Sequence, residues 1–510
     1  MSKKLNLRRY WTFLILIVFT TSCKTEKAPA PVLSAENSLT HFIIKKDNHP
    51  HLWFDIASEI IGDTIYARTL KDTYVGALIP EFKHNGVKAI VNNVEQESGV
   101  TKLDFSKPIT YSIEAENGEV KRYVVKFIDT GLPSVYLFTN GQPIINKEDY
   151  VKGTLTITSG FEGKVLYTGV TEVKGRGNST WGMPKKPYRI KLDKKAELLG
   201  MPSDKSWALM ANYGDQSLLR NDIAFEVSRR VGLEYTPKQK YVEFFLNGEY
   251  QGNYTITEHI KEGAHRVPID EENGGFILEQ DGYAYSEPVH FVTGKNIPIT
   301  VKFPDEDEIT TEQYEYIKNH VGKFENSLFK IGDEANTDYR TYFDLRSFVN
   351  YYLANEICGN TDMFWSMRMY KKSNADPKIY VGPVWDFDLG FNNDRRLDDY
   401  QEKLMLQHAH NPRAWINVFM NDPEFKKLVR SRWLEVKASL QNLPQYIDQQ
   451  AKLISHSQPY NFKKWDVLGK NINQSWFTHT THQGYVDFVR NFISKRIVWL
   501  DGVIQGPRFD

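Results

Sequence analysis

Between residues 39 and 129 apolar side chains recur at every second position in short runs: HFIIKK, LWFDI, DTIYARTL and GVKAIVNN, each closed by polar turn residues. A period of two puts alternate side chains on one face of a sheet, so these runs predict strands. The segment YSIEAENGEVKRYVVKF alternates on both sides of Asn117-Gly118. That dipeptide suits the positive φ angles of a tight hairpin. Four or more strands in roughly 90 residues fit a small all-β sandwich. No cluster of His, Cys or Ser/His/Asp falls in it, so it reads as a spacer or binding module.

Thr130 to Pro133, TGLP, marks a boundary. Strand-like runs follow it: SVYLFTN, KGTLTITS, VTEVKGRGN, YRIKL, YVEFFLNG and GNYTITEHI. One segment among them, SLLRNDIAFEVSRRV from Ser217 to Val231, repeats its apolar residues at helical spacing. Later the helical period dominates, in TTEQYEYIKNHVGKFENSLF, FDLRSFVNYYLANEI, EFKKLVRSRWLEVKASL and YVDFVRNFISKRIVWL. Strands first and helices later predict an α+β domain of two unequal lobes over residues 132–510.

Composition narrows the class. Lys+Arg and Asp+Glu are both 64, a formal net charge of zero, which excludes a generally nucleic-acid-binding chain. Aromatics at 13% place it among globular rather than disordered proteins. The two cysteines, Cys23 and Cys358, provide neither a disulfide framework nor a cysteine zinc site. Cys358 sits in a helical run and reads as a buried apolar residue. Lys3, Lys4, Arg8 and Arg9 precede a short apolar stretch, then Thr21, Ser22 and Cys23. This pattern predicts a bacterial lipoprotein signal over residues 1–22, with Cys23 as the lipidation site and residues 23–38 as a polar tether. The expected location is the bacterial cell envelope, periplasm or outer surface, with the body held at a membrane by its lipid anchor.

The chemistry concentrates between Asn355 and Arg396, NEICGNTDMFWSMRMYKKSNADPKIYVGPVWDFDLGFNNDRR. Asp362 and the pair Asp386/Asp388 flank a hairpin-like aromatic segment. In an extended chain Asp386 and Asp388, two apart, would share a face and could reach one ion. Oxygen-only ligands suit magnesium held against nucleotide phosphates; Asp-rich turns that only cap backbone N–H groups are the simpler alternative. KGRGNSTWGMPKKPYRIKL offers glycines that let backbone N–H groups approach phosphate oxygens. Arg176, Lys185, Lys186, Arg189 and Lys191 in it could neutralise them. A solvated basic hairpin is its plain alternative. Asp215 and Gln216 precede a helix that carries Arg220 in its first turn, against the helix dipole, which calls for an anionic partner or an internal carboxylate. No HExxH and no GxSxG occurs, so zinc or serine hydrolysis has no support.

Taken together, VKGRGNSTWGMPKKPYRIKL, WALMANYGDQSLLRNDIAFEV, FFLNGEYQGNYTITEHI, GNTDMFWSMRMYKK and YVGPVWDFDLGF, in that order, resemble the spore coat protein H (CotH) kinase family. The first module resembles immunoglobulin-like domains of bacterial surface lipoproteins. The resemblance implies an atypical protein-kinase-like fold and transfer of phosphate from ATP, with Mg2+ or Mn2+, to serine of protein substrates. It implies Asp362 as the catalytic aspartate and Asp386 as the metal-binding one, with Asp388 as a second ligand. It further implies Arg176, Asn178, Arg189 and Lys191 as nucleotide contacts, with Glu258 as an ion-pair partner for a phosphate-contacting base. Met367 stands where some members carry a metal-ligating Asn. The alternative function is a catalytically inactive kinase-like scaffold that binds surface glycans or proteins.

Overall fold

The computed structural model describes residues 31–70, 73–160, 164–333, 335–472, 475 and 477–510. Cys23 and the signal segment before it lie outside the described residues. Among the described residues no helix is long and apolar enough to cross a membrane.

The N-terminal region is β-rich. Its strands are β1 (Leu39–Ile44), β2 (Ile56–Ile61), β3 (Thr64–Arg68), β4 (Pro80–His84), β5 (Lys88–Val91), β6 (Val94–Glu95), β7 (Ile109–Glu114) and β8 (Val120–Ile128). They form one eight-stranded sheet in the order β4-β1-β2-β3-β8-β7-β5-β6. Phe42 on β1 and Phe82 on β4 meet Tyr111 on β7, with ring centroids 5.7 and 5.3 Å apart. The two ends of the order therefore face one another across a single core. The hairpin at Asn117-Gly118 is present, with Gly118 at φ +86°. LWFDI is not a strand. His49 Nδ1 lies 2.7 Å from Lys45 O, His49 Nε2 accepts from Ile79 N, and Asp55 accepts from Lys46 N, which folds the segment into turns.

A closed barrel follows: β9 (Ser134–Phe138), β10 (Val151–Thr158), β11 (Val165–Gly175), β12 (Tyr188–Leu198), β13 (Met201–Met210), β14 (Gln239–Leu246) and β15 (Glu249–Glu258). Its order is β10-β11-β12-β13-β15-β14-β9, and parallel pairing of β9 with β14 closes the ring. Alternation fills it with Leu155, Ile157, Val173, Ile190, Trp207 and Phe244, among others. Helix α1 (Arg220–Val231) leaves the barrel between β13 and β14.

The remainder packs helices on a five-stranded sheet, β17 (His290–Val292), β18 (Pro298–Phe303), β16 (Phe276–Asp281), β19 (Ser366–Ser373) and β20 (Asp376–Val381), in that spatial order. The helices are α2 (Thr311–Leu328), α3 (Leu345–Cys358), α4 (Met405–His408), α5 (Ala414–Phe419), α6 (Pro423–Leu440), α7 (Leu443–Leu453), α8 (Gln458–Lys464) and α9 (His482–Gln505). α2 begins on a capping box of Thr310 and Gln313, the device that satisfies orphan N–H groups at a helix start. α3 is buried on nearly every side, Cys358 included, and packs against α1, α6 and α9. A helix apolar or buried all round must be central, and α3 leads directly into the turn that carries Asp362. The α+β class thus holds, and the basic segment joins two antiparallel strands, β11 and β12, of the closed barrel.

Candidate active site

One wall of the site is the stretch after β20. Val384, Trp385 and Phe387 are buried, Trp385 lying 5.9 Å from the Phe225 ring of α1. The Phe387 N–H donates to Asn221 Oδ1 at 2.9 Å, which ties the loop to α1. Asp386 stands between two anchored aromatics at φ +65°. That left-handed backbone is costly for a residue other than glycine and clusters at functional sites. The strand geometry expected for Asp386 and Asp388 is therefore absent. The chain turns here, and the turn, not a pleat, brings the two carboxyls to one another. Burial raises both, and Arg176 opposes the rise at Asp386. Asp388 is pushed well up, by burial first and then by Asp386 and Asp362. Asp386 stays open to solvent although protein surrounds it on most sides.

The opposite wall is the connection from β11 to β12. The Arg176 guanidinium lies 5.1 Å from the Trp385 ring centroid, beside Asp386, and burial lowers it to about 10. Between the walls runs a narrow crevice of about 30 Å3, lined by Thr180, Met183, Lys185, Asn221, Asp386 and Asp388 among others. Lys185 is buried. It donates to Asn253 O and to Asn461 Oδ1 (2.8 Å), and its ammonium lies 4.5 Å from the Tyr254 ring centroid. Burial lowers it well below the usual lysine range. Gly252, at φ +110°, lets the backbone pass this close: a Cβ there would come within 2.6 Å of Asn461 Oδ1.

The third part is the turn after α3. Asp362 lies 3.4 Å from Arg396 Nη2 and 3.9 Å from His410 Nε2. Arg396 is mainly committed elsewhere, to a bidentate pair with Asp394 at 2.8 and 2.7 Å. Asp394 is fully buried and also accepts from Thr361 (2.7 Å) and faces His410 Nε2 at 3.0 Å. Although burial works to raise it, its hydrogen bonds to His410, Arg396 and Thr361 hold its carboxyl far below the usual carboxylate range. Asp362 goes the other way. Burial raises it, Arg396 and His410 counteract, and Asp386 and Asp394 add to the rise. The Arg396–Asp362 contact is long and its guanidinium is 40% exposed. Pairs of that kind contribute about 0–1 kcal/mol, too little to lock Asp362 away from a substrate.

The other expected contacts divide. Asn178 is exposed and accepts from Lys147 Nζ at 3.0 Å. Arg189 and Lys191 lie on the outer face of the barrel. Arg189 reaches Ser206 Oγ at 3.4 Å, and exposed Lys191 lies over the Tyr150 ring at 5.7 Å. Glu258 does not pair with either. The register Ile190↔Trp207↔Glu258 puts it in the inward row, whereas Arg189 and Lys191 flank Ile190 and point outward. Its ion partner is Arg266, 3.2 Å away, and it accepts from Lys238 N and Tyr235 Oη. Asp215 answers the misplaced Arg220: the two form a buried ion pair, and Asp215 also accepts from Arg220 N, Ser217 N and Ser217 Oγ. Sequence reasoning missed Asn221, Asp394, Arg396 and His410. The Asp394/Arg396 pair was visible in NNDRR, but His410 and Asn221 meet the site only through the fold.

Among the described residues no three or more His, Cys, Asp or Glu side chains are placed to hold a metal ion together. An all-protein cage is thus not what Asp362, Asp386 and Asp388 build. Two carboxyls forced together, with raised proton affinity, do fit the mode in which magnesium takes one or two carboxylates and completes its shell from phosphates and water. Met367 is buried and offers sulfur, not oxygen.

A family model described as "CotH kinase protein" matches residues 173–500. No curated protein matches the chain. Among solved structures, a chain from Bacteroides thetaiotaomicron VPI-5482 described as a "putative glycoside hydrolase" is 20% identical, with a TM-score of 0.16. The match covers 36% of this chain and 53% of that one, about half its length, and is too slight to carry an argument.

Proposed function

Because the chain belongs to the CotH kinase protein family, we propose that it is an atypical protein kinase that transfers phosphate from ATP to serine of protein substrates. The observation that carries this reading is the crevice in which Asp386 and Asp388 face the β11–β12 connection and Arg176. Asp386 and Asp388, once ionised, would hold Mg2+ or Mn2+. When bound, that ion supplies positive charge against the phosphates. Arg176, fixed against Trp385, adds a cation on the same side. Asp362 orients the serine hydroxyl and accepts its proton; its raised pKa brings it closer to the range where a base works at neutral pH. Asn221 holds the Phe387 N–H and so keeps the strained turn in place. In the same reading the lipoprotein signal read over residues 1–22, with lipidation at Cys23, would hold the enzyme at the bacterial envelope.

The test is transfer of labelled phosphate from ATP, with magnesium or manganese, to a serine-containing acceptor, for wild type, Asp386→Asn and Asp362→Asn. Transfer lost in both variants supports the reading; transfer indifferent to both removes it. The second reading is a silent kinase-like scaffold that binds surface glycans or proteins. Calorimetry that detects no nucleotide binding with metal present would select it.

A further inference from the structure

Arginines gather where the outward face of the barrel meets the five-stranded sheet. Arg176 and His259 directly follow β11 and β15, Arg189 lies on β12, and Arg368 lies on β19 opposite Glu279 of β16. His259 is within electrostatic reach of all three arginines, and Arg176 of the other two. Cations this enclosed normally have carboxylate partners. Arg368 has one: its Nη1 lies 2.8 Å from Glu279 Oε2, and Glu279 is shared with Lys302 at 3.6 Å. Among the described residues Arg176 and Arg189 form no ion pair. Arg176 rests on the Trp385 ring and Met210 Sδ, with Asp386 beside it but not paired to it. Arg189 reaches Ser206 Oγ at 3.4 Å.

Hydrogen bonding leaves the same gap. Arg189 Nε, Arg368 Nε and His259 Nδ1 are all buried, and none has a partner among the described residues. The strands β11, β12, β15, β16 and β19, and those paired to them, are described over their full lengths. Buried polar atoms are nearly always matched, so three orphans in one place call for a ligand. Burial lowers the His259 imidazole well below its usual range, and the arginines add to the fall, so the ring offers a hydrogen bond without a charge. Guanidinium forks match oxyanions. Donors from three separate strand ends suit a tetrahedral oxyanion better than a planar carboxylate, which has two oxygens to offer. We propose that Arg189, Arg368 and His259 form an oxyanion pocket for a phosphate group that Asp386 and Asp388 do not hold. That group is either the tail of a nucleotide or a phosphate already carried by the acceptor. The pocket stands on the unanswered cations and does not depend on phosphate transfer.

The full chain is titrated by calorimetry with inorganic phosphate, pyrophosphate and tripolyphosphate, with EDTA present to remove metal. Tripolyphosphate should bind, and Arg189→Gln and Arg368→Gln should each weaken it about tenfold or more. Arg189→Gln strands no paired carboxylate, so its thermal midpoint should hold even if Arg368→Gln unfolds. Lys126→Gln, at an exposed site on β8, should leave binding unchanged. Displacement of tripolyphosphate by ATP identifies the nucleotide tail as the source; displacement by a phosphoserine peptide and not by ATP identifies the acceptor. No transfer is measured, so failure here is separable from failure of the kinase reading. No binding of any of the three anions, binding indifferent to both arginine substitutions, or an equal loss in Lys126→Gln overturns the proposal.

Discussion

Two acidic sites near the start of α1 received the same residue type and were put to opposite use. Asp215 meets four donors, from Arg220 Nη1, Arg220 N, Ser217 N and Ser217 Oγ. Its charge is answered within the chain, and it serves to fix the helix. Asp386 and Asp388 are also crowded by protein, but they meet one another as well as Arg176, and burial raises their proton affinity. A buried carboxylate surrounded by donors is architecture; a pair turned upon itself is poised for a cation from outside.

The comparison breaks most visibly in activity. Asp386→Asn should lower phosphate transfer about a thousandfold, the order expected when a preorganised charge partner is removed. Asn also tolerates left-handed φ, so the thermal midpoint should hold. Asp215→Asn should do the reverse and cost about 3–5 kcal/mol, read by denaturant unfolding, because it leaves Arg220 buried without its counter-ion. Asp394→Asn should cost about 1.5–3 kcal/mol at neutral pH, the worth of hydrogen bonds to charged groups. The lowered folded pKa of Asp394 means its stabilisation is present above the unfolded carboxylate range and is lost as pH falls toward the folded value. Wild type should lose stability along that limb, and the variant should not lose this share. Asp388→Asn should raise the midpoint slightly at pH 7. Its folded pKa is raised, so its contribution favours folding below the unfolded pKa and is lost as pH rises through the folded one. A midpoint that falls instead would contradict the like-charge account. The smallest effect is a titration: Mg2+ binding should tighten with rising pH and release protons, measurable by calorimetry in buffers of different ionisation enthalpy.

Much of this was legible in the chain. Alternation found β1, β3, β5 and the β7–β8 hairpin, and helical spacing found α1, α2, α6 and α9, because each has one face in a core. WDFD was misread as regular strand for a physical reason. Trp385 and Phe387 are both anchored in the interior, so the backbone between them must turn, and spacing of two carries no meaning in a turn. LWFDI failed similarly, since His49 and Asp55 bind backbone groups that a strand would need. Glu258 was assigned the wrong partner because inward and outward rows of a barrel cannot be told apart until its closure is known. His410 and Asn221 carry no local signal at all.

Thr130 donates to Glu243 on the outward face of β14, and Tyr460 packs on Phe54 and Leu70 of the N-terminal region. The N-terminal region thus covers aromatic surface of the barrel and of α8. A chain severed at residue 130 would bare Tyr136, Phe245, Tyr250 and Tyr460 to water at once, and should self-associate where the intact protein stays dispersed.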